Sequence, residues 1–518
     1  MVKLDPSYIA KVLRETSSID HALKRIAKEQ RLNKVPSKSE IISILRNAGM
    51  EDLIAHLKKR PSRSLSGVTV IAVMSRPYPC PHGRCAYCPG GPSENVPQSY
   101  TGYEPATMRG IQHNFDPYAQ VASRIQQLEA IGHTVDKIEV IVMGGTFISQ
   151  PEDYQNFFMK GIYEAIIGHH VPDLETALRD LETASRRVSG VVFETRPDWC
   201  FEPHVDRMLA MGGTAVEIGV QTVSDVVYRL VERGHTVDDV AKSFAIAREA
   251  GFKITAHIMP GLPGLSPEED FQNFRILFED ERFKPDALKI YPTLVIKGTK
   301  LYEWWKEGKY QPLEDNELIK LIARMKRYLP RYVRIKRIQR DIPVTKIDAG
   351  FKKTLREEVQ KYMEERGWKC RCIRCREVGH TGEADPSNVK LQIEKYLAAG
   401  GYEYFLTFRD IVKDSLIAFL RLRALSNPHR PELKGKTAII RELHVYGVMV
   451  PVGVSMNAPL AWQHQGYGRA LIREAERIAT EELDASKIAV ISGRGVRPYY
   501  YMLGYSPDGP YVSKKLRY

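Results

Sequence analysis

Between residues 66 and 345 the sequence alternates short apolar runs with longer helical stretches. Apolar runs of this kind, separated by helices, are typical of a parallel sheet that helices cover on both faces. The pattern therefore predicts an α/β fold built as a complete or partial β/α barrel. The seven candidate strands are 68–74, 138–143, 190–195, 215–220, 253–259, 287–291 and 333–338.

The regions on either side of this segment have different patterns. Residues 1–65 predict a small helical module, which is basic because the first 60 residues carry 13 Lys and Arg against 7 Asp and Glu. In it, Ser37 and Glu40 form a capping-box pattern before an apolar run. Residues 346–389 predict a charged linker with a Cys-rich loop. From 390 to 518 antiparallel-looking strands and one amphipathic helix predict a separate α+β domain.

Charge and cysteine usage restrict the class of protein. The net charge of +13 favours polyanionic partners, although simple solubility explains it equally well. The chain has 7 Cys, six of them in two clusters of three, a spacing that favours metal ligation in a reducing compartment over disulfides. We see neither a signal peptide nor an apolar run of membrane-spanning length, and we expect a soluble, cytoplasmic protein.

The first cluster consists of Cys80, Cys85 and Cys88, directly after the first predicted strand. Three thiolates can hold three irons of a four-iron, four-sulfur cluster and leave the fourth iron open for S-adenosylmethionine. A zinc site that adds His82 is the alternative. The position of the motif in a barrel-length α/β segment resembles the radical SAM superfamily. That resemblance implies that Gly144 and Gly145, after the second strand, contact the methionine moiety.

A second motif occurs in the C-terminal region. Gln463, Gly466 and Gly468 stand at the entry of the amphipathic helix, where glycines let backbone N–H groups approach a pyrophosphate. The motif lies between two predicted strands and resembles the acetyl-CoA loop of the GNAT acetyltransferases. Tyr499 and Tyr500 follow in a Tyr-rich stretch. In that family such a stretch commonly contacts coenzyme A, although core packing is the alternative.

The two motifs together, in this order, resemble one family, the catalytic subunit of Elongator with its stand-alone archaeal and bacterial forms. The segments that carry the resemblance are CPHGRCAYCPGGP, QSYTGYEP, VDKIEVIVMGGTF, FETRPD, EIGVQT, HIMPGLPG, RELHVYG, HQGYG and KIAVISG. The resemblance implies a tRNA uridine acetyltransferase that starts carboxymethylation at carbon 5 of the wobble uridine. It implies acetyl-CoA, S-adenosylmethionine and a 4Fe-4S cluster, with a tRNA anticodon stem-loop as partner.

The resemblance also assigns individual residues. It implies that Cys80, Cys85 and Cys88 ligate the cluster and that Lys137 contacts acetyl-CoA from the radical domain. We expect Lys137 and Tyr500 to act in catalysis. The backbone of one strand would pair with the pantetheine arm, and the glycine loop would hold the pyrophosphate. These residues are Glu442, Leu443, His444 and Val445 for the strand, and Tyr467, Gly468 and Arg469 for the loop.

The second Cys cluster predicts a zinc site. Cys370, Cys372 and Cys375 are close enough in sequence to share one ion, with His380 or Cys200 as the fourth ligand. Basic residues nearby in sequence are candidates for a tRNA-binding groove, with a solvated charged linker as the alternative. They are Arg334, Lys336, Arg337, Arg340, Lys369, Arg371, Arg374 and Arg376.

Two rival functions remain open from the sequence. One is a protein lysine acetyltransferase, which uses the C-terminal domain and needs a carboxylate base near the thioester. The other is a non-catalytic assembly subunit. The basic N-terminal module weighs against the first rival, and the complete set of cluster ligands weighs against the second. The sequence does not decide which tRNAs are bound, and it leaves a homodimer and partner subunits open.

Overall fold

The computed structural model describes most of the chain, in ranges separated by short gaps. They are residues 4–16, 18–32, 34–57, 67–382, 384–447, 462 and 465–516. Lys58, Lys59, Arg60 and Arg63 of the basic module and Gln463 of the glycine loop lie outside these ranges. Within them, no helix has both the length and the apolar composition needed to traverse a lipid bilayer.

Four short helices form the N-terminal part. Their apolar faces, with Ile9, Leu23 and Ile41 fully or almost fully buried, meet in a small core of their own. The capping box at Ser37 and Glu40 is confirmed, since the Glu40 backbone N–H donates to Ser37 Oγ and the Glu40 carboxylate accepts from the Ser37 N–H. The helices are α1 (Pro6–Glu15), α2 (Ile19–Glu29), α3 (Lys38–Asn47) and α4 (Glu51–Leu57).

Seven parallel strands follow, each hydrogen-bonded to the next in chain order. Within the described residues, the first and last strands pair with one neighbour each, so the sheet is curled but open. The predicted barrel is therefore confirmed in its partial form. The strands are β1 (Val68–Met74), β2 (Lys137–Met143), β3 (Arg187–Thr195), β4 (Ala215–Gln221), β5 (Lys253–Ile258), β6 (Ala287–Ile290) and β7 (Arg334–Ile338).

Helices cover the outer face of this sheet. Because side chains alternate along a strand, residues such as Ile71 and Val140 pack outward against helix residues such as Val121 and Phe158. The alternate positions face the inside of the partial barrel. The helices are α5 (Pro105–Gln112), α6 (Pro117–Ala130), α7 (Glu152–Ile167), α8 (Leu174–Asp180), α9 (Glu202–Ala210), α10 (Asp225–Leu230), α11 (Val237–Glu249), α12 (Pro267–Glu279), α13 (Lys300–Lys306) and α14 (Asp315–Tyr328).

Three helices lead to a second, mixed seven-stranded sheet. They are α15 (Leu355–Glu364), α16 (Ile373–Arg376) and α17 (Val378–Thr381). The sheet contains β8 (Val389–Ala398), β9 (Gly401–Asp410), β10 (Ser415–Ala424), β11 (Thr437–Val445), β12 (Lys487–Val490), β13 (Ser506–Asp508) and β14 (Tyr511–Lys515), with α18 (Tyr467–Glu481) and α19 (Arg497–Tyr501). Its order is β13-β14-β12-β11-β10-β9-β8, and β11 and β12 are parallel. The sequence pattern did not reveal β8, β13 or β14.

The second sheet docks against the N-terminal ends of the barrel strands. Arg441 of β11 donates to Phe252 O, just before β5, and pairs with Asp286, just before β6. Arg334, the first residue of β7, donates to Tyr446 Oη directly after β11. The two sheets are therefore joined through buried charged groups, and β11 faces the end of the barrel opposite to the loop that follows β1.

Candidate active site

The loop between β1 and α5 presents three thiols at the C-terminal ends of the barrel strands. Cys85 and Cys88 are buried, and Cys80 is half-buried. Gln98 Nε2 lies 3.0 Å from Cys88 Sγ, and Arg233 Nη1 lies 3.6 Å from Cys85 Sγ. Donors aimed at sulfur stabilise thiolates, the form in which cysteine ligates metal.

The electrostatics of the loop suit a buried polar group. Burial raises the pKa of the Cys80 thiol, while the positive charges of Arg233 and Arg196 oppose that rise. Within the described residues, Arg233 Nε, Arg196 Nη1 and both ring nitrogens of His235 are buried without a hydrogen-bond partner. Since buried polar groups are normally paired, these orphaned donors fit a cluster and a polar cosubstrate beside the thiols.

The spacing of the thiols separates the cluster hypothesis from the zinc hypothesis. A tetrahedral zinc with bonds of about 2.3 Å holds its sulfurs about 3.8 Å apart. Although His82 Nε2 lies 3.1 Å from Cys85 Sγ, this loop brings no three ligand atoms within 4.8 Å of one another in the described residues. The wider spacing favours a multi-iron cluster over a single zinc ion.

The glycine pair after β2 lies against the thiol loop. Gly144 and Gly145 have φ of 132° and 83°, which side chains rarely adopt. A Cβ at Gly144 would collide with Ser75 Oγ, and one at Gly145 would lie 3.7 Å from Cys80 Sγ. Glycine is therefore favoured at both positions by the left-handed backbone, and at Gly144 also by the contact with Ser75, while Gly145 lies within van der Waals distance of Cys80.

A cavity of about 600 Å³ extends from the thiol loop into the barrel. Its wall includes inward-facing Glu194, Glu217 and His257, none of which was predicted from the sequence as a site residue. In the sequence, the available signal for these residues is that each is a charged or polar residue within an otherwise apolar strand. Burial opposes ionisation of Glu217, but Lys289 and Lys336 hold its pKa well below the ordinary range.

The basic residues predicted to line a tRNA groove fall into separate groups. Arg337 and Arg340 line the cavity, and Lys336 Nζ lies 3.2 Å from Glu217 Oε1 inside the barrel. Arg334 Nη1 donates to the Glu377 carboxylate and to Tyr446 Oη, so its guanidinium is already paired within the protein. For Arg376 the prediction was wrong. Its guanidinium is buried and donates to the backbone oxygens of Arg371 and Arg331, because it closes the turn around α16.

The glycine loop leads into α18 beside an open strand edge. β11 pairs with β12 only over Thr437–Ile440, and one further bond joins the Ile491 N–H to Ile440 O. Beyond this point β11 is paired with β10 alone, in the described residues. Gly466 adopts φ 88° at the helix N-terminus, and a Cβ at Gly468 would lie 3.6 Å from Val445. The edge of β11 that β12 leaves open, from Glu442 through Leu443 to His444, is called the free edge, and it leads through Val445 to a helix N-terminus, a favourable place for phosphate.

The remaining residues predicted to bind coenzyme A differ in how close they lie to this edge. Tyr499 Oη lies close to Gly468, 3.0 Å from the position that a Cβ on this glycine would occupy. Arg469 is exposed on the first turn of α18, next to Tyr467 in the chain. Tyr500 is buried in the core of the second sheet, with its ring against Tyr499 and Tyr505. The structure therefore places Tyr499, rather than Tyr500, at the helix N-terminus.

Lys137 and His444 lie near the junction of the two sheets. Lys137 is the first residue of β2 and stands opposite Arg187. Burial, with the nearby Arg187 charge, lowers its pKa. Burial also lowers the pKa of His444 to about 4, and its Nε2 has no hydrogen-bond partner in the described residues. Both side chains are thus less readily protonated than usual.

The sulfur atoms of the second Cys cluster lie closer together than those of the first. The sulfurs of Cys370, Cys372 and Cys375 lie within 4.8 Å of one another. Hydrogen bonds from the other two thiols lower the pKa of Cys372. The predicted fourth ligands are not brought to this group. His380 Nε2 is 2.9 Å from Glu377 Oε1, and Cys200 is buried after β3. Neither belongs to the cluster, because each is held by its own local packing.

Comparisons with known proteins agree with this architecture. Residues 76–274 match the Radical SAM superfamily, and residues 285–365 match the Radical_SAM C-terminal domain. The tRNA uridine(34) acetyltransferase of Methanocaldococcus jannaschii is 48% identical over 490 residues, covering 93% of this chain and 90% of that protein. Human Elongator complex protein 3 is 45% identical, covering 94% and 91%.

A solved structure extends the comparison to three dimensions. The Methanocaldococcus infernus Elp3 with an N-terminal deletion (1–46) superposes with a TM-score of 0.78 at 44% identity, covering 87% of this chain and 100% of that one. With the thiol loop, the glycine pair and the second sheet in the same chain, these matches are decisive. The chain belongs to the radical SAM family of tRNA uridine(34) acetyltransferases and Elongator complex protein 3.

Proposed function

We propose that this protein uses acetyl-CoA and S-adenosylmethionine to build the carboxymethyl group at carbon 5 of the wobble uridine in tRNA. The observation that supports the proposal is that two candidate sites lie at opposite ends of one barrel. The thiol loop stands at the C-terminal ends of the strands, and the free edge of β11 stands at their N-terminal ends.

The thiol loop fits the radical cofactor of the family. Cys80, Cys85 and Cys88 would hold the cluster, with Gly145 beside them and Arg233 balancing the thiolate charge. When bound and reduced, the cluster with S-adenosylmethionine supplies a carbon-centred radical. The protein's part is to keep this site buried, since other C–H and S–H hydrogen-atom donors quench carbon radicals.

The free edge of β11 fits a thioester cosubstrate. Backbone groups of Glu442, Leu443 and His444 on this edge could pair with the amides of a pantetheine arm, as a neighbouring strand would. The N-terminus of α18, opened by Gly466 and Gly468, can take up the pyrophosphate. Lys137, with its lowered pKa, stands at the same end of the barrel and would contact the thioester.

The reaction explains why one chain needs both sites. Carbon 5 of uridine is a poor nucleophile, so ionic acyl transfer does not reach it. Removing a hydrogen atom from the acetyl methyl gives a carbon radical that can add to carbon 5 of the base. Loss of the carbon-5 proton and of one electron, which the oxidised cluster would take back, then restores the uracil double bond, and hydrolysis of the thioester by water releases coenzyme A. Binding of the tRNA would rest on the cavity-lining Arg337 and Arg340 and on the basic N-terminal module.

We also propose that Cys370, Cys372 and Cys375 bind zinc, with a fourth ligand from solvent. Three sulfurs within 4.8 Å of one another suit a tetrahedral ion. Ile373, directly after Cys372, donates its N–H to Val333 O, and Val333 directly precedes β7. A bound ion would therefore stabilise the start of the last barrel strand.

The function is tested by anaerobic incubation of reconstituted protein with tRNA, acetyl-CoA and S-adenosylmethionine, followed by mass analysis of the wobble nucleoside. We expect a carboxymethyl adduct, and deuterium from the acetyl methyl in 5′-deoxyadenosine. Unlabelled 5′-deoxyadenosine would exclude direct abstraction from the methyl. Acetyl-CoA hydrolysis stimulated by a histone-like peptide, and not by tRNA, would favour a protein lysine acetyltransferase. A lysine acetyltransferase needs a carboxylate base near the thioester. Glu442 is poorly suited to that role, because its carboxylate is paired with Arg421 Nε at 2.8 Å.

A further inference from the structure

The inner face of the partial barrel is polar, where barrel interiors are usually packed with branched apolar side chains. Strands β3 to β7 contribute Glu194, Glu217, His257, Lys289 and Lys336 in turn, and we call these five residues the lumen wall. Charges in such a place are costly unless they are paired. A role in binding, rather than core packing, therefore explains best why these residues are charged or polar.

Glu217 is the centre of the lumen wall. Its side chain is 0% exposed and bonds Lys289 on one oxygen. The same oxygen lies 3.2 Å from His257 Nε2, and the other lies 3.2 Å from Lys336 Nζ. His257 and Lys336 retain 13% and 26% of their side-chain surface. Glu217 thus fixes His257, which lines the cavity, and Lys336, which is partly exposed beside the cavity-lining Glu217.

The charges of the lumen wall cancel. Two carboxylates, Glu194 and Glu217, face two ammonium groups, Lys289 and Lys336, and burial lowers the pKa of His257 so that its ring is neutral. Ligand atoms of Glu194, Glu217 and His257 lie within 4.8 Å of one another. Lysine ammonium groups already contact both oxygens of Glu217, however, which disfavours a metal ion. A neutral ligand with both donors and acceptors fits best.

The lumen wall lies directly beneath the thiol loop. Arg233 links Cys85 Sγ to Gly219 O, with distances of 3.6 and 2.7 Å. Glu217 is two residues earlier on β4 and on the same face, so it lies about 7 Å deeper in the barrel. A ligand on the wall is therefore next to the group that the thiols hold.

We infer that His257 and Lys336, held by Glu217, recognise the imide edge of the uracil that is modified. The assignment rests on the proposed function. With Nε2 donating to Glu217, a neutral His257 ring carries its lone pair on Nδ1 and accepts from uracil N3–H. Lys336 has donors beyond the one on Glu217 and donates to a ring carbonyl. Cytosine reverses this pattern at N3 and N4, so the lumen wall discriminates against it.

This recognition agrees with how enzymes act on bases in nucleic acids. They take the target base out of its stack and bind its pairing edge in a pocket. Glu217 is a positioning residue in this scheme, since it contacts the two recognising side chains and not the base.

The test compares anticodon stem-loops with uridine, cytidine or 3-methyluridine at the wobble position. The variants are Lys336→Met, the charge-balanced pair Lys336→Met with Glu217→Gln, and the exposed control Lys309→Met. Three quantities are measured: the dissociation constant by fluorescence anisotropy, RNA-stimulated 5′-deoxyadenosine formation, and RNA-free 5′-deoxyadenosine formation. The last reports the integrity of the cosubstrate site.

We expect wild-type protein and the control to prefer the uridine stem-loop over both others. Losing a hydrogen bond from a charged donor changes this preference by about tenfold or more. The double variant should lose that preference, because it removes both the donor to the ring carbonyl and the carboxylate that orients His257, whereas Lys309→Met should keep both the preference and RNA-free 5′-deoxyadenosine formation. Retention of the preference in the double variant overturns the assignment, as does an equal loss of RNA-free activity, which would make the wall part of the cosubstrate site. If wild-type protein modifies no wobble uridine, the proposed function itself fails.

Discussion

The carboxylate of Asp286 joins the two sheets, and its removal should destabilise the whole chain. It lies 2.7 Å from Arg441 Nη2 and accepts from the Ile254 N–H at 2.9 Å. Arg421 Nη1 and Arg248 Nη1 lie 3.5 and 3.7 Å away. Neither of these two nitrogens has a hydrogen-bond partner in the described residues, so Asp286 compensates them by charge alone.

The cost of Asp286→Ala follows from the groups it leaves behind. Removing one partner of a buried ion pair costs about 3–5 kcal/mol, because the remaining charge stays buried and uncompensated. Glu403 also contacts Arg248 and Arg441 and keeps the loss from exceeding that range. Asp286→Asn should be milder, since the amide oxygen still accepts from Ile254.

The assay is urea unfolding of the full chain, followed by tryptophan fluorescence. The matched control is Glu307→Ala, which breaks an exposed pair with Lys309 and should cost no more than about 1 kcal/mol. A cost for Asp286→Ala no larger than that of the control would refute the argument that these buried charges hold the sheets together.

Acid unfolding gives an independent check. Burial opposes ionisation of Asp286, but Arg441, Arg248 and Arg421 outweigh it and hold its pKa far below the ordinary carboxyl range. A group with a depressed pKa in the folded state stabilises the fold at higher pH and loses that effect on acidification. Wild-type protein should therefore lose more stability than Asp286→Asn below about pH 4.

Three further predictions concern single residues. Cys372→Ser should abolish bound zinc, measured by atomic emission on purified protein, and lower the thermal midpoint; unchanged zinc content would contradict the site. Gly144→Ala should cost about 1–3 kcal/mol and reduce iron retention, because its Cβ collides with Ser75. Gly168→Ala, at φ 90° in open space, is its control and should cost about 1 kcal/mol. Burial raises the pKa of Asp270 to about 7, so stability should fall as pH rises from about 4 to 7. Asp270→Asn should flatten that slope, and an unchanged slope would show that another group titrates.

Much of the site could be predicted from the sequence because its elements are local. Cys80, Cys85 and Cys88 lie within one loop, and the glycine pair directly follows a recognisable strand. Such features depend on near neighbours in the chain and on the 2-residue period of strands. That the strand before the glycine loop would pair with the pantetheine arm was an expectation from the family resemblance, not from local pattern.

The lumen wall could not be found in that way. Glu217 and Lys336 are 119 residues apart in the chain, and His257 lies between them on another strand. Each of these residues, taken alone, is one polar position in a strand. What makes them a site is pairing across the sheet, which depends on register and on which face turns inward.

The sequence by itself determined the kind of elements, their order and the chemistry of the thiol loop, since short-range periodicity and motif spacing specify these. Only the tertiary structure decided that the barrel stays open, that Arg376 is buried, and that β11 meets the N-terminal ends of the barrel. It also decided that Tyr499, rather than Tyr500, reaches the helix N-terminus. The physical reason is that burial and ion pairing are properties of groups distant in sequence, and their free energy appears only when the sheets are assembled.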